Sequence, residues 1–259
     1  MQAPRSERDL VLCIETSNPS AAEGPPSESV SLARIQGGRA RVLAAGSLRP
    51  ELRHDDDLVP AIDRVFRAAG VQPSEVGLVA VSAGPGGFTG LRVAMSAAVM
   101  IAEAIGARVL GVETARVAAA GWHGNDASAA GGVLLVLLAS KNERTHATLV
   151  RTGDAFEIAE TLGMVDAARV GEALDGAELV GVIGDRFVPE SIRSLCGARG
   201  FEVVPPRLDA GGVLAVACAE AARANDWGSV GDDPARARVV YAREPEAVTK
   251  WRELHPRRG

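Results

Sequence analysis

The sequence predicts an α/β protein built as two related halves. Apolar runs of strand length recur along the chain, and most are followed by a stretch with helical spacing. The apolar set makes up 47% of the 259 residues but aromatics only 3%, so the core must be Val, Leu, Ile and Ala. That diet suits buried parallel strands under Ala-rich helices. Both halves also open with strand-rich segments and close on strand–helix alternation, a layout of paired α/β units.

In chain order, residues 10–16 read as a buried strand, and 18–29, rich in Pro, Ser, Gly and Glu, as a loop. Strands over 30–35 and 41–45 are joined by Gly37-Gly38, a hairpin signal. Leu58, Val59, Ile62, Val65, Phe66 and Ala69 recur at helical spacing, with Gly70 as C-cap. A short strand over 78–82 runs into Gly84-Pro85-Gly86-Gly87-Phe88-Thr89-Gly90. A helix over 91–105 follows, with Thr89 as N-cap and Gly106 closing it. Residues 108–112 form the next strand, and Thr114 starts a short helix.

A small-residue stretch over 121–132 marks the boundary between halves. Strands over 133–139, 146–151 and 156–161 open the second half. Helices over 165–174, 189–199 and 212–225 then alternate with strands over 179–183 and 202–204. The division is 1–120, 121–225 and a polar tail, 226–259, that packs back on the first half.

Net charge is -5, and the chain as a whole lacks the basic footprint of a nucleic-acid binder. The longest apolar stretch, 93–105, contains Ser96 and Glu103 and is short of a membrane span. The polar opening residues carry no secretory h-region. Cys13, Cys196 and Cys218 are odd in number and widely spaced, so they read as buried thiols in a reducing cytoplasm. His54, His123, His146 and His255 offer no helical His pair, so no metal site is expected. The triplet Asp55-Asp56-Asp57 reads as a solvated helix start, and no Gly-x-Ser-x-Gly elbow appears.

The chemistry-bearing candidate is the glycine loop. Strand, glycine loop and helix N-terminus together favour an anion, because free amides face it and glycines let a phosphate approach the backbone. The candidate phosphate contacts are Gly84, Gly86, Gly87, Thr89, Gly90 and Arg92. A tight turn with no ligand explains the same residues. A Walker loop does not fit, since five residues separate Gly84 from Gly90 and no lysine follows. A dinucleotide fingerprint fits poorly, with Thr89 at the third glycine's place, although Glu113 falls where a ribose-binding acid would be.

In context, the run from Val79 to Arg92 resembles the signature of the TsaB family, related to TsaD of tRNA threonylcarbamoyladenosine synthesis. Gly87 stands where relatives write Ser. Leu12-Cys13-Ile14-Glu15-Thr16-Ser17 resembles the opening strand, with Glu15 for the usual Asp. His54 with Leu58, Pro60 and Ile62 resembles the following helix, Gly184-Asp185 a second-half turn, and Val240-Tyr241-Ala242-Arg243 a C-terminal element. The likeness is dense over 10–120 and thin beyond. At 139–144 the run Ala-Ser-Lys-Asn-Glu-Arg replaces an Asp-Ala-Arg-like one.

The resemblance implies an actin-like ATPase (ASKHA) fold of two α/β domains, without a complete active site. It implies a non-catalytic cytoplasmic subunit with no cofactor of its own, any ATP or ADP lying at a shared interface. The implied partners are a TsaD-like protein and a TsaE-like ATPase, with tRNA met through the complex. No membrane is involved, and the isolated chain pairs with itself. Two further readings stay open: a nucleotide-dependent actin-like kinase or hydrolase, and a dinucleotide-binding oxidoreductase.

Overall fold

The computed structural model describes residues 8–17, 29–36, 39–49, 54–122, 131–153, 155–242, 248, 251 and 254–255, with the backbone alone at 54–56 and 236. The expected Gly37-Gly38 turn, most of the 18–29 loop, His123 and Arg243 lie outside them. Strands β1 (Leu10–Ile14), β2 (Val30–Gln36), β3 (Arg39–Gly46), β4 (Val76–Gly84) and β5 (Arg108–Glu113) form one sheet in the order β3-β2-β1-β4-β5. Strands β6 (Val133–Lys141), β7 (Arg144–Arg151), β8 (Ile158–Val165), β9 (Leu179–Gly184) and β10 (Val203–Val204) form a second, in the order β10-β9-β6-β7-β8. Read from its other edge, the second sheet repeats the first. Each has two antiparallel pairings followed by parallel ones, so β1 matches β6 and β4 matches β9.

Five layers result. Helices α1 (His54–Ala69) and α2 (Phe88–Ile105) cover the outer face of the first sheet, over Leu12, Ile14, Leu32, Val79 and Val81. Helices α4 (Ala167–Gly176) and α5 (Glu190–Ala198) cover the outer face of the second, over Leu135, Leu137, Leu149 and Val182. Between the sheets lie α3 (Thr114–Ala120) and α6 (Ala210–Ala224), in one core with Val11, Cys13, Leu78 and Ala80 of the first sheet and Leu134, Val136 and Ile183 of the second. Alternation along β1 decides which residue faces which layer, and burial on both faces explains its unbroken apolar run.

The inner helices are built of small residues because the layer is thin. A Cβ on Gly212 would stand 2.9 Å from Val117 Cγ1, so α6 approaches α3 closely only without a side chain there. Although α6 comes late in the chain, it packs on β1 and β4. Arg116 of α3 ties the layers together. Its guanidinium donates to the carbonyls of Ala155 and Phe156, both at 2.9 Å, and to Glu220 of α6 at 2.5 Å.

The start of α2 differs from expectation. Helix α2 begins at Phe88 with Gly87 as an N-cap that makes no side-chain hydrogen bond, not at Thr89. At this start the Gly87 N–H docks on the Ser17 carbonyl, in the chain just after β1. The caps that do operate are Asp166 on α4 and Asp209 on α6. By length and composition α2 could span a membrane. In the fold it lies on β4, with Leu91, Ala94, Met95, Ala98 and Ala102 buried.

Candidate functional site

The glycine loop follows the carboxyl end of β4, beside the chain leaving β1. Its glycines are spent on that neighbour. The Gly87 N–H donates to the Ser17 carbonyl at 2.6 Å, and Thr16 Oγ1 donates to the Gly90 carbonyl at 3.1 Å. A Cβ on Gly86 would overlap the Ser17 carbonyl oxygen, and one on Gly90 would stand 2.5 Å from that of Thr16. A special backbone angle is therefore not what Gly86 and Gly90 supply, contrary to a sharp-turn argument; close approach is. The left-handed position is Gly84, at φ +108°, where a Cβ would overlap the Val240 carbonyl oxygen. On this inner side the loop packs on the chain that continues from β1.

The remaining loop residues face outward. Phe88 and Thr89 are exposed. Arg92 turns to the C-terminal segment: its Nε donates to the Tyr241 hydroxyl at 2.9 Å, and its guanidinium carbon lies 4.3 Å from the centre of the Phe88 ring. Phe88 and Tyr241 rings stand 5.2 Å apart. The Val240 N–H donates to the Ala83 carbonyl at 2.7 Å, and Asp232 pairs with Val109.

Glu15 sits behind the loop. It is 4% exposed, its Oε1 accepts the Ser17 N–H at 2.6 Å, and its Oε2 has no hydrogen-bond partner among the described residues. Burial pushes its pKa up; Ser17 and Ser82 offset part of this, and Asp209 adds to it. Ser82 and Thr114 join hydroxyls at 3.0 Å on the same face.

In the second half, Asp185 is fully buried, and its carboxylate accepts the N–H groups of Ser140 at 3.0 Å and Phe187 at 2.9 Å. The Gly184-Asp185 turn thus braces the β6–β7 turn. A cavity of about 360 Å³ lies elsewhere, lined by Trp122, Val180, Phe201 and Arg207 among others, and includes none of the loop residues. Among the described residues no three His, Cys, Asp or Glu side chains gather as a metal site would need.

The Asp55-Asp56-Asp57 triplet does not end as a wholly solvated helix start. Asp57 is 1% exposed, paired by Arg64 at 2.9 and 3.0 Å and by the Arg49 N–H at 2.7 Å. Asp57 and Arg64 lie seven residues apart on α1, and the third partner, the Arg49 amide, comes from the segment before the helix. The Tyr241–Arg92 contact bridges 149 positions and was legible only as two separate resemblances.

Two sheets of matching order, with paired helices between them and a loop closed on its own first strand, define an actin-like α/β protein. The chain belongs to the family described as TsaD: tRNA N6-adenosine threonylcarbamoyltransferase, matched over residues 49–179, and its glycine loop is of the TsaB type. The family is one of tRNA modification. Among solved structures the fold is similar to YeaZ from Pseudomonas aeruginosa, with a TM-score of 0.61 at 20% identity, covering 90% of this chain and 99% of that one. It is also similar to an uncharacterized protein with similarity to peptidase YEAZ from Pseudomonas aeruginosa, with a TM-score of 0.60 at 20% identity, covering 91% and 100%. No curated protein matches the sequence.

Proposed function

We propose that the chain is a non-catalytic partner subunit of a TsaD-containing complex that makes threonylcarbamoyladenosine in tRNA next to the anticodon. One observation carries the reading: the loop that would hold a phosphate is closed on Thr16 and Ser17, and the acid behind it is buried. The residues there bind the chain to itself. An ATP or ADP used by the complex would lie at a shared interface with a TsaD-like protein or a TsaE-like ATPase. The assembly would work in the cytoplasm and meet tRNA as a whole.

The outer helices supply the surface for a TsaD-like partner, and for a second copy when the chain is alone. Val59 of α1 and Met100 of α2 are 59% and 72% exposed, and the two helices pack side by side. Apolar groups left in water on adjacent helices favour association. Co-purification with a TsaD-like protein tests this. Val59→Glu with Met100→Glu should abolish the pull-down and reduce tRNA modification while the melting temperature holds. A separate assay of the lone chain should find no appreciable ATP turnover. Magnesium-dependent phosphate release that disappears in Glu15→Ala would instead make the chain an actin-like kinase or hydrolase.

A further inference from the structure

The matching strand orders put β4 and β9 in equivalent places. Each ends on a glycine, Gly84 or Gly184, and each is followed within a few residues by a phenylalanine carrying an arginine on its ring. Arg92 lies 4.3 Å from the Phe88 centroid and 6.0 Å from that of Tyr241, whose hydroxyl accepts its Nε–H. Arg186 lies 4.7 Å from the Phe187 centroid. Among the described residues, all arginine–aromatic stacks fall at these two places. In a chain so poor in aromatics, Phe88, Tyr241 and Phe187 stay 38%, 38% and 48% exposed.

Both platforms are braced from beneath. The buried Asp185 carboxylate accepts the Phe187 N–H, and the Val240 N–H is held by Ala83. Each therefore holds a partly exposed ring and a guanidinium together. Rings and guanidinium planes stack unpaired bases, while the arginine edge meets phosphate. An acidic peptide would use the cations but leave the ring faces unexplained. The net charge of -5 denies the chain a general attraction for duplexes, so recognition would rest on stacking rather than on charge alone.

We propose that these two arginine–aromatic platforms, at the carboxyl ends of β4 and β9, form a contact surface for single-stranded RNA such as a tRNA loop. The proposal rests on the tRNA-modifying reading above and extends it to this chain's own residues. Fluorescence anisotropy with the full chain tests it, using a labelled anticodon stem-loop and a fully paired duplex of equal length. The stem-loop should bind more tightly, and Phe187→Ala or Phe88→Ala should weaken it by about tenfold with the melting temperature nearly unchanged. Arg186→Ala should also flatten the salt dependence. Wild-type protein that binds neither RNA, or platform variants that bind the stem-loop as wild type does, would overturn the proposal. So would variants that lose the TsaD-like partner but keep RNA, which would make the rim a protein interface. Failure of the wild-type complex to modify tRNA would sink the functional reading instead, and the anisotropy result would stand apart from it.

Discussion

At Glu15 the carboxyl is buried beside Ser17, and burial keeps its pKa above the ordinary 4.5. An unfolded chain loses this proton as pH rises through 4.5, whereas the folded chain keeps it to a higher pH. The folded state then binds more protons, so stability falls as pH rises through that window. Glu15→Gln preserves shape and removes the titration. Melting curves from pH 4 to 8 should therefore slope downward less in the variant, and equal slopes would refute the assignment. Asp57 has the opposite sign. Hydrogen bonds from Arg64, against the cost of burial and helped by the Arg49 N–H, hold it down to about 2 from 3.8. Its contribution is complete above 3.8 and is lost as pH falls through about 2. Asp57→Asn should cost about 1–3 kcal/mol at neutral pH, read by chemical denaturation.

Within the loop, the spacing of β1 from the glycines makes three neighbouring substitutions behave differently. Gly86→Val and Gly90→Ala put a Cβ into the Ser17 and Thr16 carbonyls and should cost about 1–3 kcal/mol. At Gly87 a Cβ would stand 3.5 Å from the Ser17 oxygen, an ordinary contact. Gly87→Ser should change stability by less than about 0.5 kcal/mol. Thermal melts of the three variants decide this, and a Gly86→Val protein as stable as Gly87→Ser would sink the packing argument. Strands and helices were legible from the sequence because period and glycine punctuation act over a few residues. The helix over 91–105 was there, but its start at Phe88 adjoins the chain leaving β1, about seventy positions away, and no local signal reports that. Likewise the loop was recognisable as a motif, yet whether its glycines serve a ligand or a neighbouring carbonyl is settled only by packing.

Across the whole molecule, Arg116 holds α3 to the second sheet's 155–156 turn and to α6 on the first sheet. Arg116→Met keeps the aliphatic stem and deletes those bonds. It should destabilise the protein by about 1–3 kcal/mol and raise hydrogen exchange at residues 155–158 and along α6. Unchanged protection in both places would show that apolar packing alone sets the layer. The two-sheet plan was foreseeable from repeated patterning. The return of α6 to the first sheet was not, because amphipathic spacing names a face to be covered without naming what covers it.

That return has a consequence for synthesis. The first sheet is made from the earliest residues, yet Val11, Cys13, Leu78 and Ala80 find their cover only in a layer completed by α6. On the ribosome those strands must wait, one face bare, until the second sheet has been translated and the helix beyond it has emerged. Their assembly is nonlocal and correspondingly slow. A nascent chain paused before residue 210 should bind a holdase chaperone more strongly than one paused after 224, and an Ala-rich helix supplied in trans should release it.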